Sequence, residues 1–280
     1  MSTEGPGTIE ARDLVIEYQL ARGQDPLVAL EGLTVKVDEG EFLVVVGPSG
    51  CGKSTFLNVV GGLFGPSAGE LLVGGKPVQG PGPDRAMVFQ DYALLPWRDV
   101  YKNVQFGLEV QGLLDKGSRE RILSYIELVG LKGFENSYPR ELSGGMRQRV
   151  GLARALVTEP RILLMDEPFA AIDAITRETM QDELLRIVGQ TGQTCVFITH
   201  SVDEAITLAD RIVVLTDRPG RVRGVLEVDI PRPRVGNTLR HHPQYTELRD
   251  ELWRLLRKGD APAAEPAVVA ERDVTDAIGR

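Results

Sequence analysis

Apolar and polar positions change rhythm several times along the chain, and each rhythm predicts a different element. Residues 9 to 46 carry short β-type runs, IEARDLVIEY, LTVKV and EFLVVVG, broken by turns. The last is continuously apolar, the pattern of a strand buried on both faces. An antiparallel β region feeding a buried central strand is expected. From Gly47 onward, glycine-rich turns, helical patterns and apolar runs alternate, with RILLMD, TCVFITH and RIVVLTD as further buried strands. That alternation predicts an α/β fold with a mainly parallel core sheet and helices packed on it.

Between Gln90 and about Leu152 the pattern turns helical, with Ile122, Ile126 and Val129 at i, i+4 and i+7 on one face. A small inserted helical subdomain, residues 90–152, is expected inside a main unit of residues 8–230. Beyond Pro231 the chain is Arg-rich, and Leu248, Leu252 and Leu255 or Leu256 suggest one amphipathic helix in an extension over 231–258. Residues 259–280 are Ala/Pro-rich and acidic, and read as a mobile tail. No internal repeat is present at a solenoid or propeller period. One stretch, VFQDYALLPWRDV, departs from its surroundings: Gln90 follows an apolar strand, then Leu94, Leu95, Pro96 and Trp97 occupy a turn-like segment. Loops lie on the surface and commonly carry function. This one is either tucked under a helix as core or forms an apolar landing surface for another molecule.

Composition narrows the class. With 280 residues, 42% of them apolar, the chain can bury a sizeable core without staples. Cys51 and Cys195 are too few and too far apart for a disulfide framework or a Cys-based zinc site, and a reducing compartment is expected. The start, MSTEGPGTIEAR, has no basic or apolar leader pattern, and no run of about 18 apolar residues occurs. No membrane-spanning segment is expected. A net charge of −8 argues against a general nucleic-acid binder, while leaving room for a local basic patch.

Three motifs carry chemistry. GPSGCGKST comprises Gly47, Pro48, Ser49, Gly50, Cys51, Gly52, Lys53, Ser54 and Thr55 and fits G-x-x-x-x-G-K-[ST] directly after the buried strand FLVVV. Its glycines let backbone N–H groups bend around phosphate oxygens. Lys53 supplies a point charge to the β- and γ-phosphates, and the Ser54 hydroxyl is a Mg²⁺ ligand. Cys51 reads as a small filler, although a thiol at a helix N-terminus can be reactive. RILLMDEP puts Asp166 and Glu167 at the C-terminal end of an apolar run, where a parallel sheet presents its ligands. Asp166 would face Mg²⁺ and Glu167 the attacking water. ELSGGMRQRVGLARAL opens with Ser143, Gly144 and Gly145 and continues as a helix with Val150, Ala153, Leu156 and Val157 along one side. That opening is either a second anion site, using free N–H groups and the helix dipole, or a plain N-cap at Ser143.

Gly47 to Thr55, Gln90, LSGGM, LLMDEP, AAID and His200 stand in the order found in ABC-type ATPase subunits, which the chain resembles over roughly residues 8 to 230. The resemblance implies a P-loop NTPase of the ABC cassette type. It implies ATP held between two cassettes, the phosphate loop of one facing the Ser-Gly-Gly helix of the other. It makes Gln90 a contact to Mg²⁺ and the lytic water, His200 a γ-phosphate sensor, Asp173 a residue reaching across the dimer, and Tyr18 an aromatic platform for adenine. Ser201 and Glu204 read as a capping box that starts a helix just after His200. Met146 stands where the family most often has Gln, and Ala170 where it has Ser; neither removes a carboxylate, Lys or His needed for hydrolysis.

A single phosphate loop argues against a translation factor with two fused cassettes. The interval from Lys53 to Ser143, free of heptads and CxxC, argues against the long insertion of DNA-repair or chromosome-structure ATPases, the alternative kept. A bare cassette resembles bacterial importer subunits, and FQDYALLPWRDVYKNV, LADRIVVLTDRPGRV and LRHHPQYTELRDELWRLL look most like the nitrate/sulfonate/taurine branch. The implied partners are a second cassette, identical or paralogous, integral-membrane permease subunits met through Leu94, Leu95 and Trp97, and indirectly a periplasmic or lipid-anchored binding protein. The implied place is the cytoplasmic face of the inner membrane.

Overall fold

The computed structural model describes residues 5–20, 25–232, 234, 239 and 241–257. The expected tail at 259–280 lies outside the described residues, as does part of the loop after Tyr18.

Two sheets are formed among the described residues. The first contains β1 (Ile9–Tyr18), β2 (Leu27–Val37), β4 (Ala68–Val73) and the short β5 (Lys76–Pro77), in the order β2-β1-β4-β5. All of its pairings are antiparallel. β2 is longer than LTVKV alone suggested, because Gly32, at φ +63°, lets the strand bend and continue. β1 is interrupted in turn at Asp13, whose N–H donates to Thr34 Oγ1. There, Arg12 and Asp13 both face outward and the pairing register shifts.

The second sheet holds β3 (Phe42–Val46), β6 (Arg85–Val88), β7 (Ile162–Asp166), β8 (Thr194–Ile198), β9 (Arg211–Leu215) and β10 (Val222–Glu227), in the order β10-β9-β3-β8-β7-β6. Every pairing is parallel except β9 with β10. β3, β7 and β8 are buried along their whole length, as their unbroken apolar runs require.

Helix α1 (Lys53–Val60) follows β3 and packs between the two sheets with Phe56, Leu57, Val59 and Val60. The helical insertion contains α2 (Val100–Val110), α3 (Ser118–Leu128) and α4 (Gly144–Leu156), with a 3-10 turn at Pro139–Glu141. Ile122, Ile126 and Val129 lie in one core with Val150, Ala153, Leu156 and Val157, as their spacing predicts. α5 (Ala174–Thr191) and α6 (Val202–Leu208) cover the same face of the sheet.

The C-terminal helix α7 (Pro243–Arg257) is docked on the main unit. Tyr245, Leu248 and Leu252 enter the main core, Tyr245 donates to Asp203 Oδ1 at 2.7 Å, and Arg223 Nη1 donates to Leu255 O at 3.0 Å. Arg234 is buried just before it, with Nε donating to Ile230 O, Nη2 to Val228 O and Nη1 to Ala209 O. A guanidinium can be buried only where such carbonyls satisfy its donors.

Candidate functional site

In the parallel sheet the motif residues fall at one edge. β3, β8, β7 and β6 are neighbours, paired so that Val45 lies beside Ile198, Ile198 beside Asp166, and Met165 beside Val88. The chain leaves their C-terminal ends as Gly47, Thr199–His200, Glu167 and Phe89–Gln90. Four motifs far apart in sequence therefore share the rim where open α/β sheets take their ligands.

The loop Gly47–Thr55 wraps the start of α1. Gly52 is in the left-handed region at φ +99°, and a Cβ there would sit 2.6 Å from Leu30 Cδ2 and 2.8 Å from Ala29 O. Only glycine fits both conditions. The N–H groups of Lys53, Ser54 and Thr55 open the helix without intrahelical acceptors, the arrangement that binds anions. Lys53 is buried, and its Nζ donates to the carbonyls of Gly47 and Pro48, both at 2.8 Å. Cys51 is buried in the core under the loop, and burial pushes its thiol up from the ordinary cysteine value. It sits as a packing residue, and its burial works against the thiolate that a helix N-terminus can favour.

Asp166 is also buried. Burial raises its carboxyl above the usual range, while the Ser54 hydroxyl and Lys53 pull it down. Glu167 points elsewhere: its Oε2 lies 3.2 Å from His200 Nδ1. The two adjacent carboxylates thus diverge, one to the phosphate loop and one to the histidine. Glu167 has φ +47°, a conformation that costs a non-glycine residue about 1–2 kcal/mol. Its N–H donates to Ile198 O at 3.1 Å, and its carbonyl accepts from Gln148 Nε2 at 3.0 Å.

His200 is exposed at the end of β8, and the residues around it are fixed from below. The expected capping box is only half formed. Ser201 Oγ accepts from Glu204 N–H at 3.3 Å, but the Glu204 carboxylate turns inward, accepting from Thr199 Oγ1 at 2.5 Å and Gln181 Nε2 at 3.2 Å. Thr199 Oγ1 takes the Ser201 N–H at 3.0 Å that a capping box would have used.

Tyr18 lies beside the phosphate loop, its Oη 3.1 Å from Thr55 Oγ1 and its ring edge-on to Phe64 at 5.8 Å. Gln90 is exposed at the end of β6. Ser143 caps α4, accepting from Met146 N–H at 3.2 Å, and Met146 itself packs partly buried against the main core. Gly144 and Gly145 lie against Tyr92 Oη and Ala171 O, so α4 touches the loops after Gln90 and Glu167. Among the described residues no hydrogen bond joins Ser143, Gly144 or Gly145 to Gly47–Thr55 of the same chain. Asp173 caps α5, accepting from Thr176 N–H at 3.0 Å, and Ala170 beside it is exposed.

The apolar loop divides. Trp97 is 72% exposed, whereas Leu94 packs against the main core and Leu95 is half-buried, so the expectation that all three face outward holds for Trp97 alone. Two residues that sequence reasoning passed over hold this loop. Asn103 is fully buried on α2; its Oδ1 accepts from Leu95 N–H at 2.8 Å and its Nδ2 donates to the carbonyls of Leu95, Arg98 and Asp99 at 3.2, 2.8 and 3.0 Å. Arg154 on α4 donates to Ala93 O at 2.7 Å and Tyr92 O at 3.1 Å. A buried Asn inside an apolar helix face was the one signal available in the sequence.

A phosphate loop between a buried strand and a helix, with paired carboxylates on a nearby parallel strand, defines a P-loop NTPase. The ABC transporter family model matches residues 30–170, and the chain belongs to that family. It is 50% identical to an uncharacterised ABC transporter ATP-binding protein of Methanocaldococcus jannaschii, over 82% of this chain and 84% of that protein. It is 46% identical to the nitrate import ATP-binding protein NrtC of Synechococcus elongatus, over 84% of this chain and 36% of that longer protein. The dimeric structure of the cassette MJ0796 superposes with a TM-score of 0.73 at 31% identity, covering 80% of this chain and all of that one. A post-hydrolysis MJ0796 dimer bound to ADP and Pi gives 0.72 at 30% identity, with the same coverage. The chain is therefore an ATP-binding cassette, and no helix among the described residues is long and apolar enough to cross a membrane.

Proposed function

We propose that this cassette is the ATP-hydrolysing subunit of a bacterial importer, working as a dimer on permease subunits at the cytoplasmic face of the inner membrane. The observation that carries the hydrolytic part is the convergence of Gly47–Thr55, Asp166, Glu167 and His200 at one sheet rim, with Glu167 already against His200. The exposed N–H groups of the loop and Lys53 bind the β- and γ-phosphates of ATP, Lys53 exchanging its two loop carbonyls for phosphate oxygens. Asp166, Ser54 and Gln90 offer the hard oxygen donors that suit Mg²⁺, and the buried Asp166 carboxyl, hydrogen-bonded to Ser54 and raised by desolvation, fits a divalent cation nearby. When bound, the ion neutralises charge on the phosphates.

Glu167 polarises a water that attacks the γ-phosphorus, and the bond to the β-phosphate oxygen breaks to give ADP and phosphate. His200 holds Glu167 and the γ-phosphate in register. Tyr18, whose Oη lies 3.1 Å from Thr55 Oγ1, serves as the platform for the base. Ser143, Gly144 and Gly145 serve the phosphate loop of the second cassette, and Asp173 reaches toward it. The likeness to a dimeric cassette supports that division of labour. Closure around ATP and release after hydrolysis are then the work delivered to the permease. Trp97, held out from the surface, is the anchor for a permease segment. The similarity to NrtC, a nitrate import protein, supports nitrate or a related small solute as the cargo. The sequence likeness to the nitrate/sulfonate/taurine branch extends the candidates to a sulfonate or taurine, delivered by a binding protein.

Glu167→Gln should abolish steady-state hydrolysis while leaving Mg-ATP binding largely intact. Turnover close to wild type would refute the catalytic assignment, and hydrolysis stimulated by DNA would turn the role away from transport.

A further inference from the structure

Gln148 lies on α4, is only 2% exposed, and uses both ends of its amide on the segment that follows β7. Its Nε2 donates to Glu167 O at 3.0 Å and its Oε1 accepts from Ala171 N–H at 3.2 Å. The backbone conformation of Glu167 is fixed by the tilt of the two peptide groups that flank it. The first of these is pinned by Glu167 N–H donating to Ile198 O at 3.1 Å. The second joins Glu167 to Pro168, which has no N–H, so its carbonyl is the only hydrogen-bonding group by which that peptide can be held. Gln148 holds it. A residue before proline is also driven toward extended backbone, away from the φ of +47° seen here. Beyond the local turn bond from Ala170 N–H to the same carbonyl, the left-handed conformation at Glu167 is braced by one side chain, from the helix that begins with Ser143.

We propose that Gln148 is a positioning residue for ATP hydrolysis: through the Glu167 carbonyl it keeps Glu167 in its left-handed conformation, and so keeps the carboxylate on His200. Its amide is spent on backbone groups, so it acts through Glu167. The proposal rests on the reading of Glu167 as the residue that polarises water. It also joins α4, whose N-terminus serves the second cassette, to the catalytic carboxylate of its own chain through one amide.

Two variants of the full chain separate positioning from support. Gln148→Met keeps length and volume and loses both bonds. Gln148→Glu, assayed at about pH 8, keeps an acceptor for Ala171 N–H and loses the donor to Glu167 O. The measurements are kcat, KM, the Kd for Mg-ATP and the thermal midpoint, with Glu167→Gln in parallel. Both variants should lose about tenfold to hundredfold in kcat, the cost of a misplaced group, while the Kd for Mg-ATP stays within about twofold. Wild-type kcat in either variant, beside an inactive Glu167→Gln, overturns the positioning role and leaves the catalytic reading standing. A loss of Mg-ATP binding or of thermal stability in step with kcat also overturns it, because Gln148 would then only support the fold. An active Glu167→Gln removes the reading on which the proposal rests.

Discussion

Replacing Asn103 with Ala should destabilise the protein by about 2–4 kcal/mol, and the sum can be worked out group by group. Asn103 makes four side-chain bonds, but they are not equally replaceable. Asp99 O keeps the helical bond from Asn103 N–H at 2.9 Å, and Leu95 O keeps Arg98 N–H at 3.1 Å. Leu95 N–H and Arg98 O lose the partners described for them. Each unsatisfied buried group costs about 1–3 kcal/mol, and partial burial lets water recover some of it. Urea denaturation should show the loss as a lower midpoint at unchanged slope. The thermal midpoint should fall by about 4–16 °C, at about 2–4 °C per kcal/mol for a domain of this size. Hydrogen exchange should find the Leu95 amide newly exposed while strand amides in β3 and β8 keep their protection. A stability loss under about 1 kcal/mol, or a Leu95 amide that stays protected, would refute the claim that Asn103 orders the loop.

Two further perturbations probe the surroundings of the site. Burial pushes the Glu204 carboxyl up, with Thr199, Arg177, His200 and Gln181 pulling it partly back. Its contribution to stability is thus complete below the unfolded value of about 4.3 and is lost as pH rises through the folded value. The stability of wild type minus that of Glu204→Gln should therefore fall as pH rises above about 4.3; a flat difference counts against a raised carboxyl. Trp97→Ala removes an exposed ring and should change stability by less than about 0.5 kcal/mol and leave hydrolysis by the isolated chain intact. Co-purification with its permease should be lost, and intact assembly would end the anchor reading.

What the sequence displayed and what it concealed divide along the reach of the interactions. The phosphate loop is legible because its glycines, Lys53 and Ser54 act within nine consecutive residues after one buried strand. β3, β7 and β8 are legible because burial on both faces leaves an unbroken apolar run. β2 extends beyond LTVKV because its bend at Gly32 breaks the local pattern while the neighbouring strand β1 carries the pairing on. The capping box at Ser201 was half right because a buried hydroxyl, Thr199 Oγ1, competes for the partners that a local motif assumes. In the sequence the Arg-rich extension reads only as one amphipathic helix with no surface to face. Yet Leu248 and Leu252 need an apolar surface to cover, and the cassette supplies it at α6, β9 and β10.

The residues missed altogether share one property. Asn103, Arg154 and Gln148 act chiefly on backbone groups: the carbonyls of Leu95, Arg98, Ala93, Tyr92 and Glu167, and the N–H groups of Leu95 and Ala171. A backbone carbonyl has no letter in the sequence, so no spacing rule could pair these side chains with their targets. They gather where the chain departs from regular structure, at Ala93 with φ +44° and at Glu167 with φ +47°. Such backbone persists only where its surroundings over-determine it. Arg154 and Gln148 both project from α4, so one helix braces the left-handed turn that follows Gln90 and the one that carries Glu167. Ser143, which a motif search finds at once, opens the same helix. The legible half of α4 thus lies at its N-terminus, the part proposed to meet a second cassette, and the illegible half faces inward and braces the two left-handed turns at Ala93 and Glu167.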